Sequence, residues 1–199
     1  MNLEILDKLI EKFSKFPGVG KRTAERFAFY ILELNSQEVS EFVSLIQEIK
    51  NKVRNCKMCN NLTQDEICSI CKDPRRDSTL LCVVEEPRDI LAIERTSVYN
   101  GKYFVLLGAL APLEGIGIKD TKIGELVEYV KNHPEIKEII ISTDADMEGE
   151  TTANYIFKLL KPLGRRITRI GVGIPLGADL EFVDKNTLEK ALKFRKELS

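Results

Sequence analysis

Leu3, Leu6, Leu9, Ile10 and Phe13 recur every three or four residues among charged side chains, the spacing of one face of a helix. Ala24, Phe27, Ala28 and Ile31 mark a second stripe, and Phe42, Leu45, Ile46 and Ile49 a third. Pro17-Gly18-Val19-Gly20 separates the first helix from the second, and Asn35-Ser36 gives the third a cap-like start. Beyond residue 80 the texture changes. Apolar runs of strand length lie at 80–84, 103–107, 139–141 and 167–172, with amphipathic helical patterns at 89–96, 123–132 and 151–160 between them. Strands apolar at every position are buried on both faces, so the alternation predicts an α/β layer fold around a mostly parallel sheet. The stretch from 174 begins rich in Gly and Pro and closes on a short basic helix at 188–198. No internal repeat or low-complexity tract interrupts this order.

Between the helical region and the α/β region stand Cys56, Cys59, Cys68 and Cys71, two Cys-x-x-Cys pairs separated by eight residues. Each pair can turn both thiolates toward one ion, and two pairs complete the tetrahedral all-sulfur shell of a structural Zn²⁺. The segment 60–67 has no apolar run able to fold by itself, so the metal is expected to supply the module's stability. A redox dithiol or two disulfides would use the same spacing. Two adjacent pairs in a chain whose first residues show no signal-peptide pattern favour zinc, in a closed site that is architectural rather than catalytic.

The composition narrows the function. With 43% hydrophobic residues, 30 basic and 31 acidic side chains and a net charge of −1, no global positive field draws this chain to nucleic acid. DNA contact must come from local clusters, such as Lys50/Lys52/Arg54/Lys57 or Lys158/Lys161/Arg165/Arg166/Arg169, which are more commonly solvated faces. No apolar span is long enough for a membrane helix, and a cytosolic, soluble protein is expected. Cys82 lies inside an apolar run and reads as a buried strand thiol. The single histidine, His133, sits in Asn-His-Pro at a helix end and reads as a loop residue, which leaves no histidine-based catalysis.

Two further segments carry candidate chemistry. Gly18 and Gly20 flank Val19 ahead of Lys21 and Arg22, with Arg26 one turn on. Glycines at a helix start leave backbone N–H groups and the positive end of the helix dipole open to a phosphate; a plain αα-turn with glycine caps has the same spacing. The second segment is Ser142-Thr143-Asp144-Ala145-Asp146-Met147-Glu148-Gly149-Glu150, directly after a strand. If that strand neighbours the one ending at Glu85-Glu86, then Glu85, Asp144 and Asp146 converge at the sheet's carboxyl edge into an oxygen-rich site suited to Mg²⁺. The same acids could instead complement the dipole of the helix that Gly149-Glu150 opens.

Pro17-Gly18-Val19-Gly20-Lys21-Arg22-Thr23-Ala24-Glu25-Arg26 resembles the helix-hairpin-helix motif, which implies contact with the backbone of single- or double-stranded DNA through Gly18, Gly20, Lys21, Arg22 and Arg26. Glu85 after one strand and Asp144-x-Asp146-x-x-Gly149-Glu150 after a later one resemble the Toprim domain of topoisomerases, primases and some nucleases, although the chain has no room for a topoisomerase's or primase's other domains. The whole order, with Val84-Glu85-Glu86-Pro87-Arg88-Asp89, Tyr99-Asn100-Gly101-Lys102-Tyr103, Leu113-Glu114-Gly115-Ile116-Gly117 and the stretch 173–184, resembles the RecR family of bacterial recombination mediators. That resemblance implies a helix-hairpin-helix region over 1–53, a four-cysteine zinc finger over 54–76, a Toprim domain over 79–173 and an assembly segment over 174–199. It further implies a non-catalytic, cytoplasmic, nucleoid-associated protein. Such a protein works with RecO and RecF to load RecA on single-stranded DNA coated by single-strand-binding protein, as a ring-like tetramer that encircles DNA. Two departures stand out: the chain keeps Asp144 and Asp146 where the family often carries neutral residues, and it reads Tyr103-Phe104 where the family commonly has Tyr-His. The alternative is a small Toprim nuclease resembling the ribosomal-RNA maturases. Such an enzyme needs the acids but has no reason to carry the hairpin and the cysteine module.

Overall fold

The computed structural model describes residues 3–195. The chain divides after Val53 into two compact units. The first holds helices α1 (Glu4–Ser14), α2 (Lys21–Glu33) and α3 (Ser36–Lys52). Asn35 starts α3 with a full capping box: its side chain accepts from Gln37 and Glu38 N–H while Glu38 accepts from the Asn35 N–H. Ala24 and Ala28 are fully buried, small enough for α1 and α2 to approach closely, and the Phe13 ring meets Phe27 edge-on at 5.8 Å. The third apolar stripe behaves differently. Phe42, Leu45, Ile46 and Ile49 are all exposed, and α3 buries no residue.

The second unit opens with the cysteine module, a two-residue antiparallel ribbon of β1 (Arg54–Asn55) and β2 (Leu62–Thr63) followed by α4 (Ser69–Lys72). Strands β3 (Asp77–Val84), β4 (Gly101–Val105), β5 (Glu138–Ser142) and β6 (Arg166–Arg169) form an all-parallel sheet in the order β4-β3-β5-β6. Side chains alternate across it. Leu81, Val83, Phe104, Ile139 and Ile141 pack on one face against α6 (Ile123–Asn132) and α7 (Met147–Leu160). Cys82, Val84, Tyr103 and Val105 face the other side, toward α5 (Pro87–Glu94). Burial on both faces explains the continuous apolar runs.

Several boundaries depart from the sequence expectations for identifiable reasons. Helix α5 starts at Pro87 rather than 89, because proline at the first helical position needs no N–H partner. Strand β4 ends at Val105 rather than 107, where Leu107 at φ 57° and Gly108 at φ 142° turn the chain away. Strand β6 stops at Arg169 rather than 172. Helix α7 begins four residues before the expected 151, because Asp146 caps it by accepting from the Gly149 N–H at 2.8 Å. Gly149-Glu150 therefore lies in its first turn instead of opening it. The tail helix α8 (Lys185–Lys193) starts early on an Asp184 cap, and the expected positions 196–198 lie outside the described residues.

Phe104, where the related pattern has histidine, is buried in the core against the Tyr129 ring. His133 ends α6, stacked on Tyr129 with its Nδ1 2.7 Å from the Tyr129 carbonyl oxygen.

Candidate metal centre and nucleic-acid interface

The four cysteine sulfurs lie within 4.8 Å of one another, and Cys59 and Cys68 Sγ are 3.6 Å apart. Sulfurs at the corners of a tetrahedron with zinc–sulfur bonds of about 2.3 Å stand about 3.8 Å apart, so the cluster fits a tetrathiolate ion. Backbone donors hold the sulfurs: Cys56 Sγ accepts from the Cys68 N–H at 3.3 Å and Cys68 Sγ from the Cys71 N–H at 3.5 Å. Hydrogen bonds from the Cys59 and Cys71 thiols pull the Cys68 thiol down to about 2, and the bond to Cys68 pushes Cys59 up. Four sulfurs converging on one point, two of them held by backbone N–H donors, are arranged to receive a cation. No other group of three or more potential ligand atoms comes this close among the described residues.

In the first unit, the turn between α1 and α2 folds on Gly18, at φ 74°, with the Val19 N–H donating to the Phe16 carbonyl at 3.0 Å. Gly20 is the N-cap of α2 and offers no side chain to its first turn. The first helical bond runs from the Ala24 N–H to the Gly20 carbonyl. Lys21, Arg22 and Arg26 lie on that turn and the next, Lys21 and Arg22 exposed. Space around Gly18 and Gly20 is open, with no atom within 4 Å of where a Cβ would sit.

At the sheet's carboxyl edge, β3 and β5 are neighbours, and Val84 pairs with Ser142. Glu85, buried just beyond β3, accepts from the Asp144 N–H at 3.1 Å. Burial pushes the Glu85 carboxyl up to about 7, and Asp144, Asp146 and Asp89 add repulsion. The three acids do not form a common ligand group. Asp146 is engaged as the α7 cap, and Asp144 is exposed.

The packing here depends on Gly149: a Cβ there would meet the Asp144 carbonyl oxygen at 2.2 Å. Two cations brace the loop: Arg169, which the sequence offers only as part of a basic cluster, and Lys190, which it does not single out. Arg169 donates to the Asp144 carbonyl at 2.9 Å and lies 3.5 Å from Glu150, while Lys190 of α8 reaches Glu150 at 3.2 Å. The basic cluster 158–169 is accordingly no single patch, since Arg166 pairs with Glu138 and Arg169 serves the acidic loop. In the other cluster, Lys52 pairs with Glu48 and Lys57 with Glu66. Cys82 is buried 3.3 Å from Ser142 Oγ, and burial pushes its thiol up to about 11, which makes it a poor nucleophile.

Comparison with known proteins decides the relationship. The chain is 44% identical over 194 residues to the recombination protein RecR of Acidothermus cellulolyticus, spanning 98% of this chain and 97% of that one. It belongs to the RecR family. The same identity holds over 192 residues with the recombination protein RecR of Streptomyces avermitilis, covering 96% of each chain. Family models match in four consecutive segments: the RecR helix-hairpin-helix at 6–50, the RecR four-cysteine zinc finger domain at 53–73, a Toprim domain at 79–171 and the RecR C-terminal segment at 173–196. Both relatives are named as recombination proteins. No helix among the described residues is long and apolar enough to cross a membrane.

Proposed function

We propose that this chain is a DNA-binding recombination mediator that acts with RecO and RecF to help load RecA onto single-stranded DNA, in the cytoplasm at the nucleoid. The observation that carries the reading is the start of α2, where Gly20 leaves the first-turn N–H groups uncapped beside exposed Lys21 and Arg22. A DNA phosphate placed there receives backbone donors, the helix dipole and two cations at once, contacts that fix position without reading sequence. Single and double strands should both bind.

Residues 1–53 act as the DNA-binding region, 54–76 as the zinc finger, 79–173 as the Toprim domain and 174–199 as the assembly segment. Zinc binds at one ion per chain through Cys56, Cys59, Cys68 and Cys71, and when bound it cross-links a module that has little apolar core of its own. Assembly into a ring-like tetramer is supported by the exposed apolar stripe on α3 and by exposed Leu176, Phe182, Leu192 and Phe194 near the carboxyl end. Glu85, Asp144 and Asp146 form an edge that meets RecO or takes Mg²⁺ without turnover, and relief of the repulsion on Glu85 favours either cation source.

The test is incubation of the zinc-loaded protein with labelled single- and double-stranded DNA and Mg²⁺. Retention of intact strands supports a scaffold. Cleavage abolished by Asp144→Ala would overturn it in favour of a Toprim nuclease.

A further inference from the structure

Lys102 is a strand residue whose ammonium group serves another module. From β4, half-buried, its Nζ donates to the carbonyl oxygens of Ile70 at 2.9 Å, Cys71 at 3.0 Å and Asp73 at 2.9 Å. The intrahelical bonds of α4 end with the Lys72 N–H on Cys68 and the Asp73 N–H on Ser69, so the Ile70 and Cys71 carbonyls are orphans of the helix's last turn. Lys102 fills that role with all three of its donors.

The same strand holds the other half of the cysteine module. The Val105 N–H donates to the Cys59 carbonyl at 2.8 Å, and Asn60 Nδ2 reaches the Val105 carbonyl at 3.4 Å. The edge strand β4, unpaired on its outer side by any strand of the sheet, is thus covered by the module. Each Cys-x-x-Cys pair has one anchor on β4, Val105 for Cys56/Cys59 and Lys102 for Cys68/Cys71.

We infer that Lys102 is a positioning residue for the four-cysteine metal centre, fixing the Cys68–Cys71 half against β4 and placing a cation beside an anionic site. The inference rests on zinc occupying those cysteines, where four thiolates around Zn²⁺ carry a net charge of −2. The module's own lysines are committed elsewhere: Lys57 to Glu66 at 2.7 Å and Lys72 to Asp65 at 2.7 Å, both exposed. Lys102 alone among these cations contacts the backbone of a ligand residue, the outer-shell contact that orients metal ligands.

The experiment follows zinc release to a chromogenic chelator from the wild-type full chain, Lys102→Met, Lys102→Arg and the charge-matched control Lys72→Met. It also records the sulfur-to-metal charge-transfer band of each after Co²⁺ substitution. Removing an outer-shell partner costs roughly 10–100-fold in metal affinity, so Lys102→Met should release zinc about 10-fold faster or more. Lys102→Arg, which keeps the charge, should fall between, and Lys72→Met should match wild type. The charge-transfer band should shift in Lys102→Met and stay in place in Lys72→Met. Equal release and an unmoved band in Lys102→Met, or equal acceleration in Lys72→Met, would overturn the inference. If Lys102→Met accumulates unfolded, refolding rescued by excess zinc supports it and refolding indifferent to zinc overturns it. Wild-type protein without zinc would instead refute the metal assignment itself.

Discussion

Gly149→Ala tests the architecture of the acidic edge. A methyl group there would stand 2.2 Å from the Asp144 carbonyl oxygen, 2.8 Å from its carbon and 2.9 Å from its nitrogen, all backbone atoms that no rotamer can move aside. Ordinary carbon contacts lie at about 3.5–4.0 Å, so the Asp144 backbone must retreat by roughly 1 Å or more. That retreat breaks two bonds made to that same backbone, Asp144 N–H to Glu85 and Arg169 to the Asp144 carbonyl. Hydrogen bonds to charged groups contribute about 1.5–3 kcal/mol each, and overpacking costs about 1–3 kcal/mol. Because one movement relieves the clash while breaking the bonds, the terms overlap, and a loss of about 3–4 kcal/mol is expected. For a chain of this size that is a fall in melting temperature of about 10 °C by scanning calorimetry. Gly124→Ala in α6 is the control: nothing lies within 4 Å of its Cβ position, and helix propensity should make it neutral or stabilising by up to about 1 kcal/mol. A Gly149→Ala melting point within about 2 °C of wild type would refute the reasoning.

Glu85 gives a pH prediction. Its folded carboxyl titrates near 7 against an ordinary 4.5, so the folded state holds its proton more tightly, and stability is lost as pH rises through that window. Glu85→Gln should therefore stabilise the protein by up to about 3 kcal/mol at pH 8 but little at pH 4, read from melting temperatures across pH; a constant difference would refute it. Cys68→Ser, or chelation of the wild type, should unfold the cysteine module and expose the β4 edge, seen as faster hydrogen exchange at Val105; unchanged exchange would show that the module folds without metal. Asp144→Asn with Asp146→Asn should keep the fold while changing the Mg²⁺ dependence of DNA binding, and binding indistinguishable from wild type across Mg²⁺ concentrations would reduce these acids to a solvated helix start.

Local chemistry made much of this molecule legible in its sequence. Two cysteine pairs, a Gly-Val-Gly turn, and runs such as 80–84 and 139–141 each signal their structure within a few residues. The adjacency of β3 and β5 that joins Glu85 to Asp144 could only be posed as a condition, because strand order is set by tertiary packing. The start of α7 was misplaced for a related reason: Gly149-Glu150 reads as the opening of that helix until Asp146 is seen capping it from three residues before, by accepting from the Gly149 N–H. The roles of Lys102, Arg169 and Lys190 carried no signal: Arg169 stands only as one member of a basic cluster, and Lys102 only as part of a matching stretch. Their partners are 19 to 40 residues away: Asp144 and Glu150 for Arg169, Glu150 for Lys190, and the cysteine module for Lys102. The exposed stripe of α3 shows the reverse limit, since helical periodicity identifies an apolar face without saying whether the same chain covers it.

The central claim is that the hairpin grips DNA phosphates without reading sequence. The most direct measurement is fluorescence-anisotropy affinity for two unrelated labelled single strands across a salt series, comparing wild type with Lys21→Ala/Arg22→Ala. Each lost phosphate contact lowers the slope of log affinity against log salt by about one, so the double variant should bind both strands equally more weakly with a slope shallower by about two. Unchanged affinity and slope would show the hairpin to be only a turn and contradict the account.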